Sequence, residues 1–370
     1  MELVLKRQLK IERYRVIAEI EKAQKRDEIH AVLLLAQEPS GISAKAIAEN
    51  LLGGRPETVG KRWLKVCESY NLIEYNKKFK NYVLTDTGKE SLNQKKVFPP
   101  EQGTWDIWMT DDPLWLGKLV KIEPHEESYA FLEKKDKEKL NKRGKAMKPL
   151  PTWIQESLIQ QKSVTSLLDA KEDYRFGNLK GKAEKVDEIE FDISLILTIP
   201  ERGKTSLVFY KGKKPYHHLA PEIKFSDIWQ QLLLQRNLLE SWDKNENQQV
   251  LRVTNDSLKP QEQASFLKEY TFSDPNLEGF GSFEQTTVEN VPIAPVSQND
   301  ADDWGLELLL QEINRYAVQG EFRKMKNIIR PKFPDFTLNL PEQSELAQTL
   351  RDIELHKKHW YLQAPLDWNI

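Results

Sequence analysis

Residues 43–92 read SAKAIAENLLGGRPETVGKRWLKVCESYNLIEYNKKFKNYVLTDTGKESL. The order reads as two short helices, a glycine turn, a longer helix and a basic hairpin. Ser43 can cap the helix AKAIAENLL, whose Ala46, Ile47 and Leu51 supply an inner face. Gly53 and Gly54 make the turn, and Pro56 at the first helical position, followed by Glu57, opens the next helix. An inner stripe of Val59, Trp63, Val66 and Tyr70 has helical spacing, which leaves Thr58, Lys61, Arg62 and Lys65 facing outward. LIEYNKKFKNYVLT then alternates as two strands around a loop holding Lys77, Lys78 and Lys80. Just upstream, EIHAVLLLAQEPSG reads as a buried helix stopped at Pro39 and Gly41.

This pattern, over about residues 28–92, resembles the winged helix-turn-helix superfamily. The resemblance implies that residues 56–69 are a recognition helix and residues 75–84 a wing. It also implies double-stranded DNA as partner, contacted by Lys45, Thr58, Lys61, Arg62, Lys65, Lys77, Lys78 and Lys80. The physics agrees: outward Arg and Lys on a helix can meet guanine acceptors or phosphates in a major groove, and lysines at a hairpin tip can track a phosphate backbone. A competing reading makes the same module a protein-docking domain with a solvated basic face.

Charge supports a two-part molecule. Residues 1–98 hold 19 Lys/Arg against 13 Asp/Glu, a net of +6, so the rest of a chain with total charge −2 carries −8. A basic head on an acidic body suits a head that binds a polyanion and a body that engages other protein subunits. One cysteine, Cys67, excludes an internal disulfide framework and points to a reducing compartment. Charges every few positions at the start leave no signal-peptide core, and no apolar run is long enough for a membrane helix. A cytoplasmic location without membrane attachment is expected.

Outside the module, residues 3–26 read as a long charged helix with Leu5, Leu9, Val16, Ile20 and Ala23 near one stripe. VFPPEQG (97–103) reads as a linker, and TWDIWMTDDPLWLGKLVKI as paired strands around Asp111–Pro113. Residues 133–148, with eight basic and three acidic side chains, read as an exposed helix or loop. The clearest strand is EIEFDISLILTI, where Ile189, Phe191, Ile193, Leu195, Leu197 and Ile199 are in phase, followed by a PERG turn and a second strand. Helices are expected to dominate beyond residue 222. The fold class is therefore α+β: a winged helix over 1–98, a β-rich middle over 99–221 and a helix-rich region over 222–370.

Catalytic patterns are scarce. There is no phosphate-cradling glycine loop, no HExxH and no CxxC. His356 and His359 could share a metal, but the lysines between them favour a surface position near a helix C-terminus. Asp300, Asp302 and Gly305 start like an EF-hand, yet Trp304 and Gln311 occupy positions where neither can supply the needed carboxylate, so a helix capped by Asn299 or Asp300 is expected. Glu222 and Lys224 have the ExK spacing of metal-dependent nucleases, with Asp192 upstream, a short match in a chain rich in both residue types. Asp106, Asp111 and Asp112 suggest turn chemistry. Trp105, Trp108 and Trp115 suggest core packing over a base-stacking platform, since no basic residues flank them in sequence. No metal site and no cofactor are expected. The reading is a non-enzymatic DNA-binding subunit of a prokaryotic DNA-processing or phage-defence (antiviral) assembly. The first alternative is a transcription regulator with a C-terminal sensing or dimerisation region, and the second, ranked well below it, a metal-dependent nuclease.

Overall fold

The stretch expected to be one long charged helix is two strands. In the computed structural model, β1 spans Glu2–Gln8 and β2 spans Glu12–Lys22. The structure describes residues 1–125, 148–159, 163–169, 173–177, 179, 182–186, 192–245, 248–353 and 355–368. Tyr14, Val16, Ala18 and Ile20 are buried on one face of β2, and Arg13, Arg15 and Glu19 alternate with them. That is period two, which only a strand satisfies with one apolar face.

The chain groups into two compact units that are interleaved in sequence, whereas three consecutive stretches were expected. The first comprises Gln8–Ile193 with Lys211–Tyr216. Its centre is the pairing of β2 with β5 (Pro100–Met109), antiparallel from Glu12 opposite Met109 to Glu21 opposite Pro100. The expected linker is thus largely strand. Pro100 is tolerated because it is the first residue of that strand, where no ladder donor is demanded. β6 (Leu119–Pro124) adjoins β5 through the expected turn, in which the Asp112 carboxylate accepts from the Leu114 amide at 2.9 Å. On the other edge of β2 lie β10 (Lys182–Val186), with β7 (Lys148–Pro149) beyond it, and β9 (Asp173–Phe176), which also pairs β8 (Val164–Thr165). Helix α5 (Thr152–Ile159) brings Ile154 and Leu158 to the apolar core that contains Val16, Ile20, Trp105 and Ile107. Residues 133–147 of the basic stretch lie outside the described residues.

The same unit contains a second core. It is built from α1 (Asp27–Ala36), α2 (Ala44–Asn50), α3 (Glu57–Ser69), β3 (Ile73–Asn76), β4 (Asn81–Leu84) and α4 (Asp86–Gln94). Ile29, Val32, Leu33, Ile47, Leu64, Cys67 and Leu72 close it. Gln24 and Val97 bridge at its base, with Val97 donating to the Gln24 carbonyl at 2.9 Å.

The other unit comprises Met1–Arg7, Ser194–Tyr210 and His217–Ile370. Here β11 (Ile193–Pro200) lies between β1 and β12 (Ser206–Lys211). Ile193, Leu195, Leu197 and Ile199 are fully buried, as their alternation predicts, while Ile189 and Phe191 lie outside the described residues. After β12 the chain turns through Gly212 into β13 (Lys214–His218), of which Lys214–Tyr216 groups with the first unit.

The region beyond residue 222 is less helical than expected. After α6 (Phe225–Gln235) comes a four-stranded sheet in the order β14 (Trp242–Asn245), β15 (Gln248–Val253), β19 (Thr286–Pro295), β16 (Leu267–Phe272). Strands β17 (Asn276–Leu277) and β18 (Gly281–Ser282) form a small ladder. The segment KPQEQASFLKEY is helical only as α7 (Pro260–Ser265), because Phe266 turns left-handed (φ 57°) and stops it. Helices α8 (Gln298–Glu312), α9 (Gln319–Ile329), α10 (Gln343–Asp352) and α11 (His356–Asp367) complete the chain, the last two replacing one expected helix. The fold is α+β.

Candidate nucleic-acid interface

Ser43 caps α2 as expected, its hydroxyl accepting from the Ala46 amide at 3.2 Å. The inward side of α2 is Ile47 and Ala48, and Leu51 is exposed rather than inner. α3 begins at Glu57, with Pro56 at its cap position instead of its first turn. The buried line of α3 is Gly60, Leu64 and Cys67. Val59, Trp63, Val66 and Tyr70, expected to be innermost, are half-buried along one flank. The displacement is about one residue around the helix, and Gly60 explains it. A Cβ at that position would stand 2.2 Å from the Ala44 carbonyl oxygen. α2 therefore crosses α3 at its glycine, and the bulky stripe packs beside that crossing. Burial also pushes the Cys67 thiol up to about 12, so the lone cysteine stays protonated and unreactive near neutrality.

Thr58, Lys61, Arg62 and Lys65 are all exposed. Thr58, Arg62 and Lys65 fall at helical spacing on the line opposite the buried one, and Lys61 lies toward α2. Lys61, Lys65, Lys80 and Tyr82 line a cleft of ≈ 270 Å³ together with Ser43 and Ala44. The hairpin is therefore brought to the same side of the module as α3. It is tied there by Ile42 and Tyr82, whose amides and carbonyls exchange bonds of 2.7 and 2.9 Å. Lys77, Lys78 and Lys80 are exposed at its tip.

Charge partners separate these cations from their neighbours. Lys45 and Lys89 in the module, and Lys25 and Arg26 just before it, each pair with an acidic side chain, Lys45 with Glu49 at 3.7 Å, while Arg55 has no such partner. Lys61, Arg62, Lys65, Lys77, Lys78 and Lys80 have no ion pair with any described residue. Lys45 is thus exposed but partly neutralised, and the other expected contacts form one unneutralised basic face.

Comparison with protein-family models, with characterised proteins and with solved structures returns no match.

The other candidates resolve individually. Asp106 is not turn chemistry: it sits in β5 and accepts from Arg13 at 2.7 Å and Arg15 at 3.0 Å, with His125 Nδ1 at 3.1 Å. Burial pushes its carboxyl upward, but the two arginines outweigh it and hold the group below the usual range. Trp108 does have basic neighbours, Arg13 and Lys121, each 4.9 Å from the ring, supplied across the sheet and invisible to sequence proximity. It is nevertheless 2% exposed, so it is no stacking platform. Ser297, not Asn299 or Asp300, caps α8. Asp300 accepts from the Asn255 amide, and Asp302 from the Asn339 amide and side chain. His356 and His359 open α11 at its N-terminus, contrary to the expected C-terminal position, and His359 Nδ1 lies 2.8 Å from the Ala347 carbonyl. Asp192 and Glu222 belong to different units. Among the described residues no three of His, Cys, Asp and Glu gather as metal ligands, and no helix is long and apolar enough to cross a membrane.

Proposed function

We propose that the α1–α4 module is a winged helix that binds double-stranded DNA, with α3 in the major groove and the β3–β4 tip along the adjacent backbone. One observation carries the reading. The cations of α3 and the hairpin tip lack internal acidic partners and gather on one face, whereas Lys45 and Lys89 of the same module are paired and Arg55, just before α3, is the one further unpaired cation among its described residues. Unneutralised charge held on one face is what a phosphate lattice rewards, because each contact releases condensed counterions. A helix of 13 residues is about 20 Å long and fits a groove about 12 Å wide. Arg62, on the outermost line, is the residue placed to read a base edge, and the lysines set register on phosphates.

The test compares the full chain with its Arg62→Glu variant on duplex DNA. Reversal deletes a contact and repels phosphate, so affinity should fall about 10- to 100-fold while the folded circular dichroism spectrum is kept. Equal binding by a folded Arg62→Glu protein makes the module a protein-docking domain instead. Leu64→Ala is the contrasting control: Leu64 is buried, so that change should lose binding through loss of fold, at about 2–5 kcal/mol.

A further inference from the structure

The hairpin tip carries more than charge. Phe79 sits between Lys78 and Lys80 and is 47% exposed, and Tyr75 on β3 is 49% exposed. About half of this large apolar side chain is therefore left in solvent at a loop tip. Phe79 is nonetheless held in place. The Asn76 side-chain oxygen accepts from the amides of both Lys78 (2.9 Å) and Phe79 (3.3 Å), a local turn closed by asparagine. Lys80 follows in the left-handed region at φ 54°, which fixes the direction in which the strand returns. The Lys78 ammonium lies 5.6 Å from the centre of the Phe79 ring, so the ring and a phosphate-seeking cation are presented together. One pair back from the tip, Tyr75 and Tyr82 face each other across the hairpin and meet edge-on at 5.3 Å, stiffening it. The result is an ordered aromatic tip flanked by three lysines.

We propose that Phe79 is a wedge that stacks into an opened base step, so that the module favours duplex DNA with an unpaired or easily unstacked position beside the wing. The proposal rests on the duplex-binding reading and specifies its substrate. Apolar side chains that enter a duplex must be repaid for the unstacking they cause, and that cost is least where a base is already unpaired. Because the Asn76 turn fixes the backbone that carries Phe79, the tip loses little freedom on insertion, which lowers the cost further. The three lysines supply the phosphate contacts that keep the tip against the backbone. Stacking is tolerant of base identity, so the preference is for the opened step and not for a sequence.

The experiment uses the full chain and two duplexes of equal sequence, one fully paired and one with a single bulged base. A 2-aminopurine beside the bulge reports unstacking. Wild type should bind the bulged duplex about ten-fold more tightly and change the 2-aminopurine fluorescence. Phe79→Ala should abolish the preference without changing the salt dependence, and Phe79→Trp should keep it. Because Phe79 is exposed, Phe79→Ala should unfold at the wild-type temperature, which separates loss of stacking from loss of fold. A preference that survives Phe79→Ala, or equal binding of both duplexes by wild type, overturns the wedge and leaves duplex binding standing. Binding of neither duplex overturns the function and the wedge together.

Discussion

At the residue scale, Asp106 is the most consequential side chain that the sequence hides. It is 4% exposed and neutralises Arg13 and Arg15 from the neighbouring strand. Removing its charge leaves two part-buried guanidinium groups with a weaker partner, so Asp106→Asn should destabilise the first unit by about 2–4 kcal/mol in denaturant unfolding. The pH dependence follows from the lowered folded-state value. The contribution is fully present above the unfolded carboxylate value of about 4 and is lost as pH falls through the lower folded value. Wild type should therefore lose stability on acidification more steeply than Asp106→Asn. Parallel acid-unfolding curves for the two would show that the pair contributes nothing. From the sequence, Asp106 looks like one of three turn aspartates, because its partners Arg13 and Arg15 lie more than ninety residues away. By contrast the outward cations of α3 were legible, since helical spacing is a local property.

At the element scale, α3 shows how far periodicity reaches. Its existence, its limits to within a residue and its exposed face could all be read from the chain. Its innermost line could not, because a glycine contributes no apolar signal and its value lies in letting α2 approach. Gly60→Ala should force the Ala44 carbonyl away and cost about 1–3 kcal/mol, read as a lowered midpoint of thermal unfolding. An unchanged midpoint would mean that the helices cross elsewhere. The β1–β2 segment teaches the converse. Leu5, Leu9, Val16 and Ile20 fit a loose helical stripe, but Tyr14, Val16, Ala18 and Ile20 also alternate strictly, and the alternation was the true signal. Tertiary pairing with β5 decides between the two, and β5 begins almost eighty residues after β2 ends.

At the scale of the whole molecule, the basic head and acidic body are not separable pieces. β2 precedes the helical module and β5 follows it, so the module is an insertion between two strands of one sheet. β1, nearer the chain start, belongs with strands almost two hundred residues later in the second unit. A cut after residue 98 would strand β2 without β5 and expose Val16, Ile20 and their neighbours. The fragment 1–98 should aggregate or lose its sheet, as seen by a loss of strand signal in circular dichroism. A monomeric, cooperatively folding fragment would show that the module carries β2 as an independent extension. Net charge read along the sequence predicts a head and a body; only pairing reveals that the chain returns through the same sheet. The fold class survived that error because both helical and strand periodicities are local, whereas unit boundaries are not.

The most direct test of duplex binding is its salt dependence. Affinity of the full chain for duplex DNA should fall linearly on logarithmic axes, by about 0.9 for each phosphate contact. Replacing Lys77, Lys78 and Lys80 by Gln should flatten that slope by about two to three, uniformly across sequences, in a protein that unfolds at the wild-type temperature. A folded triple variant with the wild-type slope and affinity would contradict the account, because the hairpin tip would then touch no backbone.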